Sequence, residues 1–281
     1  MTVPTITLHD QTTIPQLGFG VFQVPPEETA ATVSTALEVG YRHIDTAQMY
    51  QNEAGVGRAI ADSGIARDEL YVTSKLNNGF HRPDDARRSF DQTLTELGLD
   101  RVDLFLIHWP LPTLYDGDFV STWRTLGEFV ADGRATSVGV SNFQPAHLDR
   151  IVEETGLVPV VNQIEVHPYF PNEEARAASI RHGVEVEAWS PIAQGAVLDD
   201  EVIGKIAAAH GKTPSQVTLR WHVERGDIVF PKSMKRERME ENFAIFDFEL
   251  SPEEVAQISA LDRGPSGRRG PDPDTFDYMP E

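Results

Sequence analysis

Gly40-Tyr41-Arg42-His43-Ile44-Asp45-Thr46-Ala47-Gln48-Met49-Tyr50-Gln51-Asn52-Glu53 changes character twice within a few residues. Tyr41–Ile44 reads as a short strand, and Asn52 and Glu53 read as the cap and first turn of a helix. Asp45 and Tyr50 fall on the loop between them, where α/β proteins place their chemistry. The same alternation continues in both directions. Strands are expected near Leu17–Val21, Tyr41–Ile44, Leu70–Ser74, Asp103–His108, Thr136–Val140, Val158–Gln163, Val184–Trp189 and Ile228–Pro231. The fourth is apolar almost throughout, as a parallel strand buried on both faces should be. Helical patterns fill the gaps. Arg82-Pro83-Asp84-Asp85 opens one, with Ala86, Phe90, Leu94 and Leu97 at helical spacing before Gly98. Thr213-Pro214-Ser215-Gln216 and Ser251-Pro252-Glu253-Glu254 both read as capping boxes.

Eight strand–helix units in 281 residues predict a single α/β domain, a (β/α)8 TIM barrel. A doubly wound sheet fits less well. Gly18-Phe19-Gly20 lacks the third glycine of a dinucleotide fingerprint, and Gly55-Val56-Gly57 falls inside a helix rather than before one. Residues 1–16 contain a hairpin, Ile6–Leu8 and Thr13–Pro15, that is expected to cover one end of the barrel. Residues 264–281 turn rich in Gly, Pro and Asp and are expected to form an irregular tail.

A net charge of −20 argues against nucleic acid and anionic membranes as partners, because both are polyanions. No apolar run approaches the roughly 20 residues of a membrane span, and Met1–His9 lacks the pattern of a secretory signal. With no cysteine there is neither a disulfide nor a thiolate metal site. The histidines are scattered without metal-ligand spacing, so no metal is expected. A soluble cytoplasmic protein is the expectation. Against this acidic background, Lys232, Lys235, Arg236 and Arg238 form a tight basic cluster beside a strand end, suited to an anionic ligand.

Chemistry concentrates at the ends of three consecutive strands. Tyr50 can donate a proton, Lys75 can stabilise its phenolate, Asp45 can hold Lys75 charged, and His108 can hydrogen-bond a carbonyl. A cation beside a phenol is expected to lower its pKa; about two units would correspond to roughly 2.7 kcal/mol. Taken singly, each residue has an ordinary structural use as cap, packed aromatic, surface charge or core histidine.

The opening stretch, together with Gly139-Val140-Ser141-Asn142-Phe143 and Phe230-Pro231-Lys232-Ser233-Met234-Lys235-Arg236-Glu237-Arg238, resembles the signatures of the aldo-keto reductases, in that family's order. The resemblance runs from Ile6 to about Asp262 and is strongest to the prokaryotic 2,5-diketo-D-gluconic acid reductases. It implies a catalytic tetrad of Tyr50, Asp45, Lys75 and His108. It also implies an NADPH site: Ser141, Asn142 and Gln163 at the carboxamide, Trp189 stacked on the nicotinamide, and Ser190, Ile192, Gln194 and Gly195 over the pyrophosphate. Lys232, Ser233 and Arg238 would take the 2′-phosphate, with Glu241 and Asn242 reaching the adenine. Arg offers a phosphate a bidentate fork and Lys a compact charge, so NADPH is expected over NADH. Glu237 nearby leaves room for both.

Phe22, Asn77, Phe80 and Trp109 are expected around the substrate. Asn77 departs from the tryptophan of many relatives and removes a large wall. A small-molecule carbonyl is the implied partner of a monomer, with keto-sugar acids, methylglyoxal and small dicarbonyls as candidates. Two other classes stand beside this one. One is a lyase or aldolase forming a Schiff base at Lys75; the other is a nucleotide-binding regulatory barrel, as in the β subunits of potassium channels.

Overall fold

The computed structural model describes residues 2–280. The chain opens with an antiparallel hairpin, β1 (Thr5–Thr7) and β2 (Thr13–Pro15). Eight parallel strands follow in chain order: β3 (Phe19–Gly20), β4 (His43–Asp45), β5 (Tyr71–Leu76), β6 (Val102–Ile107), β7 (Ala135–Ser141), β8 (Val161–Glu165), β9 (Glu185–Trp189) and β10 (Ile228–Val229). The first meets the last, for Leu17 pairs with Val229 and the Gly18 amide donates to the Val229 carbonyl at 2.8 Å. The sheet is therefore a closed barrel.

Helices wrap it: α1 (Pro26–Val39), α2 (Glu53–Asp62), α3 (Pro83–Leu97), α4 (Val120–Ala131), α5 (Pro145–Thr155), α6 (Glu173–Arg181), α7 (Glu201–His210), α8 (Pro214–Glu224), α9 (Arg236–Phe243) and α10 (Pro252–Ser259). In α3, Pro83 starts the first turn, Ala86, Phe90 and Leu97 are buried, and left-handed Gly98 (φ 63°) ends the helix. Thr213 and Ser251 complete reciprocal capping boxes at α8 and α10. Gly57 lies inside α2 for a packing reason, since a Cβ there would stand 2.2 Å from the Leu97 carbonyl oxygen of α3. No helix among the described residues is long and apolar enough to cross a membrane.

The hairpin closes the end of the barrel remote from Asp45 and His108. Leu8 and Ile14 pack with Tyr71, Leu104, Leu106, Val160, Val161 and Ile228. The Ser137 hydroxyl donates to Asp10 Oδ2 at 2.6 Å.

Several boundaries differ from the sequence expectation. The expected strand at 158–163 lies at Val161–Glu165, because Pro159 has no N–H for a ladder and pairing begins beyond it. Gln163 therefore sits inside a strand rather than at its end. β5 runs past Ser74 to Leu76, so Lys75 lies within a ladder, paired in register with Leu106. β4 begins at His43 and includes Asp45, while Tyr41 packs outside it with its hydroxyl donating to the Met239 carbonyl at 3.1 Å. β10 stops at Val229 and the hairpin's first strand ends at Thr7; His108 follows β6 rather than ending it. Asn52 precedes α2 but caps nothing with its side chain. Its Nδ2 donates to the carbonyls of Val21 (3.0 Å) and Val24 (3.3 Å), and its Oδ1 accepts from the Thr46 hydroxyl at 2.8 Å, tying two loops together.

Candidate active site

Asp45 at the end of β4 and Lys75 within β5 meet inside the barrel at 2.7 Å, with side chains 4% and 0% exposed. Lys75 Nζ also donates to the Thr46 carbonyl at 2.8 Å and to the Tyr50 hydroxyl at 3.4 Å. All three ammonium hydrogens thus have acceptors. Tyr50 arrives on the short 3-10 turn Gln48–Tyr50 and is held between the exposed Phe22 ring (centroids 5.1 Å) and the His108 ring (5.6 Å). Gln48 fixes this turn. Its Oε1 accepts from the Asn77 amide at 2.7 Å, and its Nε2 donates to the Thr93 hydroxyl at 2.7 Å. The four expected residues, separated by up to 63 positions in the chain (45 to 108), converge on one point.

Their electrostatics differ in one respect from the sequence expectation. Burial raises the Tyr50 phenol above its ordinary pKa, and Asp45 adds to this, while Lys75 pulls the other way without prevailing. The phenol is kept as a neutral O–H. Burial opposes the charge of Lys75, but Asp45 and then Tyr50 hold its pKa above the ordinary value. Burial, followed by Lys75, pushes His108 well below the usual imidazole range, so this ring is neutral.

The residues expected at the carboxamide cluster beside this group. The Asn142 Nδ2 donates to the His108 carbonyl (2.9 Å), the Ser141 hydroxyl to the Gln163 carbonyl (2.8 Å), and Trp189 Nε1 to Asn142 Oδ1 (2.9 Å). Asn142 and Ser190 both adopt left-handed backbone (φ 65° and 50°) directly after β7 and β9, a strain that concentrates at functional sites. Gln163 turns inward and donates from Nε2 to Asp45 Oδ2 and Glu187 Oε2, each at 2.9 Å. Ser190, Ile192, Gln194 and Gly195 form a tight turn with left-handed Ala193 (φ 49°) and Gln194 (φ 55°) rather than a slack loop.

The basic cluster lies beyond β10. Arg236 is engaged by Glu38 and Glu240, whereas Lys232, Lys235 and Arg238 have no ion-pair partner among the described residues. Ser233 Oγ accepts from the Lys235 amide at 3.1 Å. Unpaired cations in so acidic a chain fit a phosphate-bearing ligand. Glu241 and Asn242 already tie α9 to α8, accepting from the hydroxyls of Thr213 (2.7 Å) and Ser215 (2.8 Å).

The model of the aldo/keto reductase family matches residues 16–263, nearly the whole barrel. The chain belongs to the aldo/keto reductase family. It is 49% identical to an aldo-keto reductase of Mycolicibacterium smegmatis over 98% of both chains. It is 48% identical to methylglyoxal reductase DkgA of Yersinia pestis over 97% of both. Among solved structures, a Gox0644 mutant in complex with NADPH superposes with a TM-score of 0.94 at 43% identity, covering 99% of this chain and 100% of that one.

In this aldo/keto reductase the tail is docked across the mouth, which its composition did not reveal. Glu165 accepts from the backbone amides of Arg269 (2.5 Å) and Gly270 (2.9 Å) and pairs with His167 at 3.0 Å. Gly270 passes so close to Trp189 that a Cβ would lie 2.4 Å from the indole. Farther on, Phe276 packs on Trp109 with centroids 4.1 Å apart, and Asn78 Nδ2 donates to the Tyr278 carbonyl at 2.8 Å. Phe80 is exposed and Asn77 caps its own short turn, accepting from the Gly79 amide at 2.9 Å. A groove of about 500 Å³ runs between α2 and α3 beside Gln48, Gln51, Asn77 and Phe80, adjoining the Tyr50 turn rather than containing it. Sequence reasoning missed Gln48, Glu165 and Glu187; for the two glutamates the signal was an acid within a strand, and Gln48, on the turn before Tyr50, left none.

Proposed function

We propose that this aldo/keto reductase is an NADPH-dependent carbonyl reductase with Tyr50 as the proton donor. The observation that carries the reading is the hydrogen-bonded chain from buried Asp45 and Lys75 to half-buried Tyr50, with neutral His108 against the phenol ring. Bound NADPH supplies the hydride. His108 is suited to donate a hydrogen bond to the substrate carbonyl and orient it, and Tyr50 to deliver its proton to the carbonyl oxygen. Lys75 then stabilises the phenolate left behind, and Asp45 keeps Lys75 charged. Ser141, Asn142, Gln163 and Trp189 are assigned to the nicotinamide end. Ser190, Ile192, Gln194 and Gly195 are assigned to the pyrophosphate, Lys232, Ser233 and Arg238 to the 2′-phosphate, and Glu241 and Asn242 to the adenine side.

The Schiff-base reading is disfavoured by Lys75 itself. It is fully buried, saturated with acceptors and held in its protonated form, whereas an amine nucleophile needs a free lone pair. The relative named methylglyoxal reductase supports small dicarbonyls as substrates, and the resemblance to gluconate reductases supports keto-sugar acids. Phe22, Asn77, Phe80 and Trp109 would line that site, with Phe276 of the tail added.

The test is loss of the reduced-nicotinamide absorbance with methylglyoxal, phenylglyoxal and a 2,5-diketo-sugar acid, using wild type and Tyr50→Phe. Wild-type turnover that disappears in Tyr50→Phe, with NADPH binding retained, is expected. Substantial activity in the variant removes Tyr50 as donor. A flat wild-type trace despite tight NADPH binding favours the regulatory reading.

A further inference from the structure

The hydrogen-bond chain that begins at Tyr50 does not stop at Asp45. Gln163 on β8 uses both hydrogens of its Nε2, one toward Asp45 Oδ2 and one toward Glu187 Oε2, each at 2.9 Å. Glu187 lies on β9, in register with Gln163 and two residues before Trp189. It is wholly buried, and its second oxygen, Oε1, has no partner among the described residues. A leucine or valine would fill this layer of a barrel without the penalty of desolvating an acid. The two ends of a glutamine amide have nearly the same shape, so their orientation is decided by partners. Two carboxyl groups on the nitrogen end fix Nε2 inward and leave Oε1 of Gln163 without a protein partner among the described residues.

We infer that Glu187 is a positioning residue for the reduction: with Asp45 it holds the Gln163 amide so that its carbonyl oxygen is presented to the carboxamide of the bound nicotinamide. This rests on the cofactor placement proposed above. The groups facing Glu187 are Asp45 from β4, Lys75 and Tyr71 from β5 and Gln163 from β8. Burial, then Asp45, pushes the Glu187 acid up to about 8 against the pull of Gln163 and Lys75. Glu187 is thus a neutral acid at neutral pH and becomes an anion in mild alkali. That anion favours the cationic oxidised ring over the neutral reduced one. Ionisation of the 2′-phosphate is common to both cofactor forms and cancels in their ratio.

The experiment is equilibrium binding of NADPH and NADP+ to wild type, Glu187→Gln, Glu187→Leu and Gln163→Ala, from about pH 7 to about pH 9, with circular dichroism verifying the fold. Glu187→Leu is expected to weaken NADPH binding by about tenfold, and Glu187→Gln, which keeps an acceptor, to stay within about twofold. Across this pH range the wild-type affinity ratio is expected to move toward NADP+ by roughly three- to tenfold, and the Glu187→Gln ratio to move far less. The proposal is overturned if Glu187→Leu binds NADPH like wild type, or if Glu187→Gln keeps the full pH shift. If Glu187→Leu does not fold, the pH comparison decides. Should Gln163→Ala also bind like wild type, the cofactor placement falls too; should it bind weakly while Glu187→Leu does not, only the role of Glu187 falls.

Discussion

Lys75→Met isolates the ion pair at the centre of the barrel. Methionine keeps the length of the side chain but removes the charge, leaving the Asp45 carboxylate buried with only the Gln163 amide beside it. Removing one partner of a buried pair costs about 3–5 kcal/mol, because the remaining charge is uncompensated. The unfolding entropy of a chain of 281 residues, at roughly 2.1 cal/mol/K per residue, is about 0.6 kcal/mol/K, so the melting temperature should fall by roughly 5–8 °C. Asp45→Asn combined with Lys75→Met removes both charges and should recover most of that loss, although neither variant should turn over substrate. Differential scanning calorimetry without cofactor reads this separately from activity. A single variant melting within about 2 °C of wild type, or a double variant no better than the single, would refute the view that Lys75 compensates a buried carboxylate.

Replacing Arg238 by Met should weaken NADPH by roughly ten- to thirtyfold through a lost charge-assisted contact while hardly changing NADH, measured by titration of both. Glu53 is buried against the Ser74 hydroxyl at 2.5 Å, and burial raises its acid to about 7 against that bond and one with Thr93. A carboxyl with a raised folded-state pKa contributes stability that is full below its unfolded value, near 4.5, and lost as pH climbs through about 7. Glu53→Gln should therefore gain roughly 3 kcal/mol relative to wild type between about pH 4.5 and about pH 7.5, seen in paired denaturation curves; parallel curves would disprove it. Glu187 acts with the same sign at somewhat higher pH, so some alkaline decline should persist in that variant. Gly270→Ala would drive a methyl into Trp189, so NADPH should quench tryptophan fluorescence less and bind several-fold more weakly; unchanged quenching would mean that the tail does not brace the indole.

The stretch from Gly40 to Glu53 was legible because strand, loop and helix each leave a local mark: apolar spacing, then polar residues, then acids in a first helical turn. Repeated eight times, that mark specifies a barrel, and Pro83, Thr213 and Ser251 announced their helices by cap chemistry alone. Strand ends were less legible, because pairing depends on the neighbouring strand. Pro159 delayed β8, and the register with β6 carried β5 past Lys75.

By its residues alone this protein determined its alternating architecture, its acidic surface with one basic cluster, and an Asp, Tyr, Lys and His at the mouth ends of consecutive strands. Only the tertiary structure decided that burial outweighs Lys75 at the Tyr50 phenol, since desolvation depends on everything packed around a group. It also decided the inward turn of Gln163 toward Glu187 and the docking of the tail on Glu165. Those contacts join residues 24 positions apart in one case and 104 in the other. Composition and periodicity describe how a segment meets its own near neighbours along the chain, whereas such pairings exist only once the barrel has closed and brought distant strands within hydrogen-bond reach.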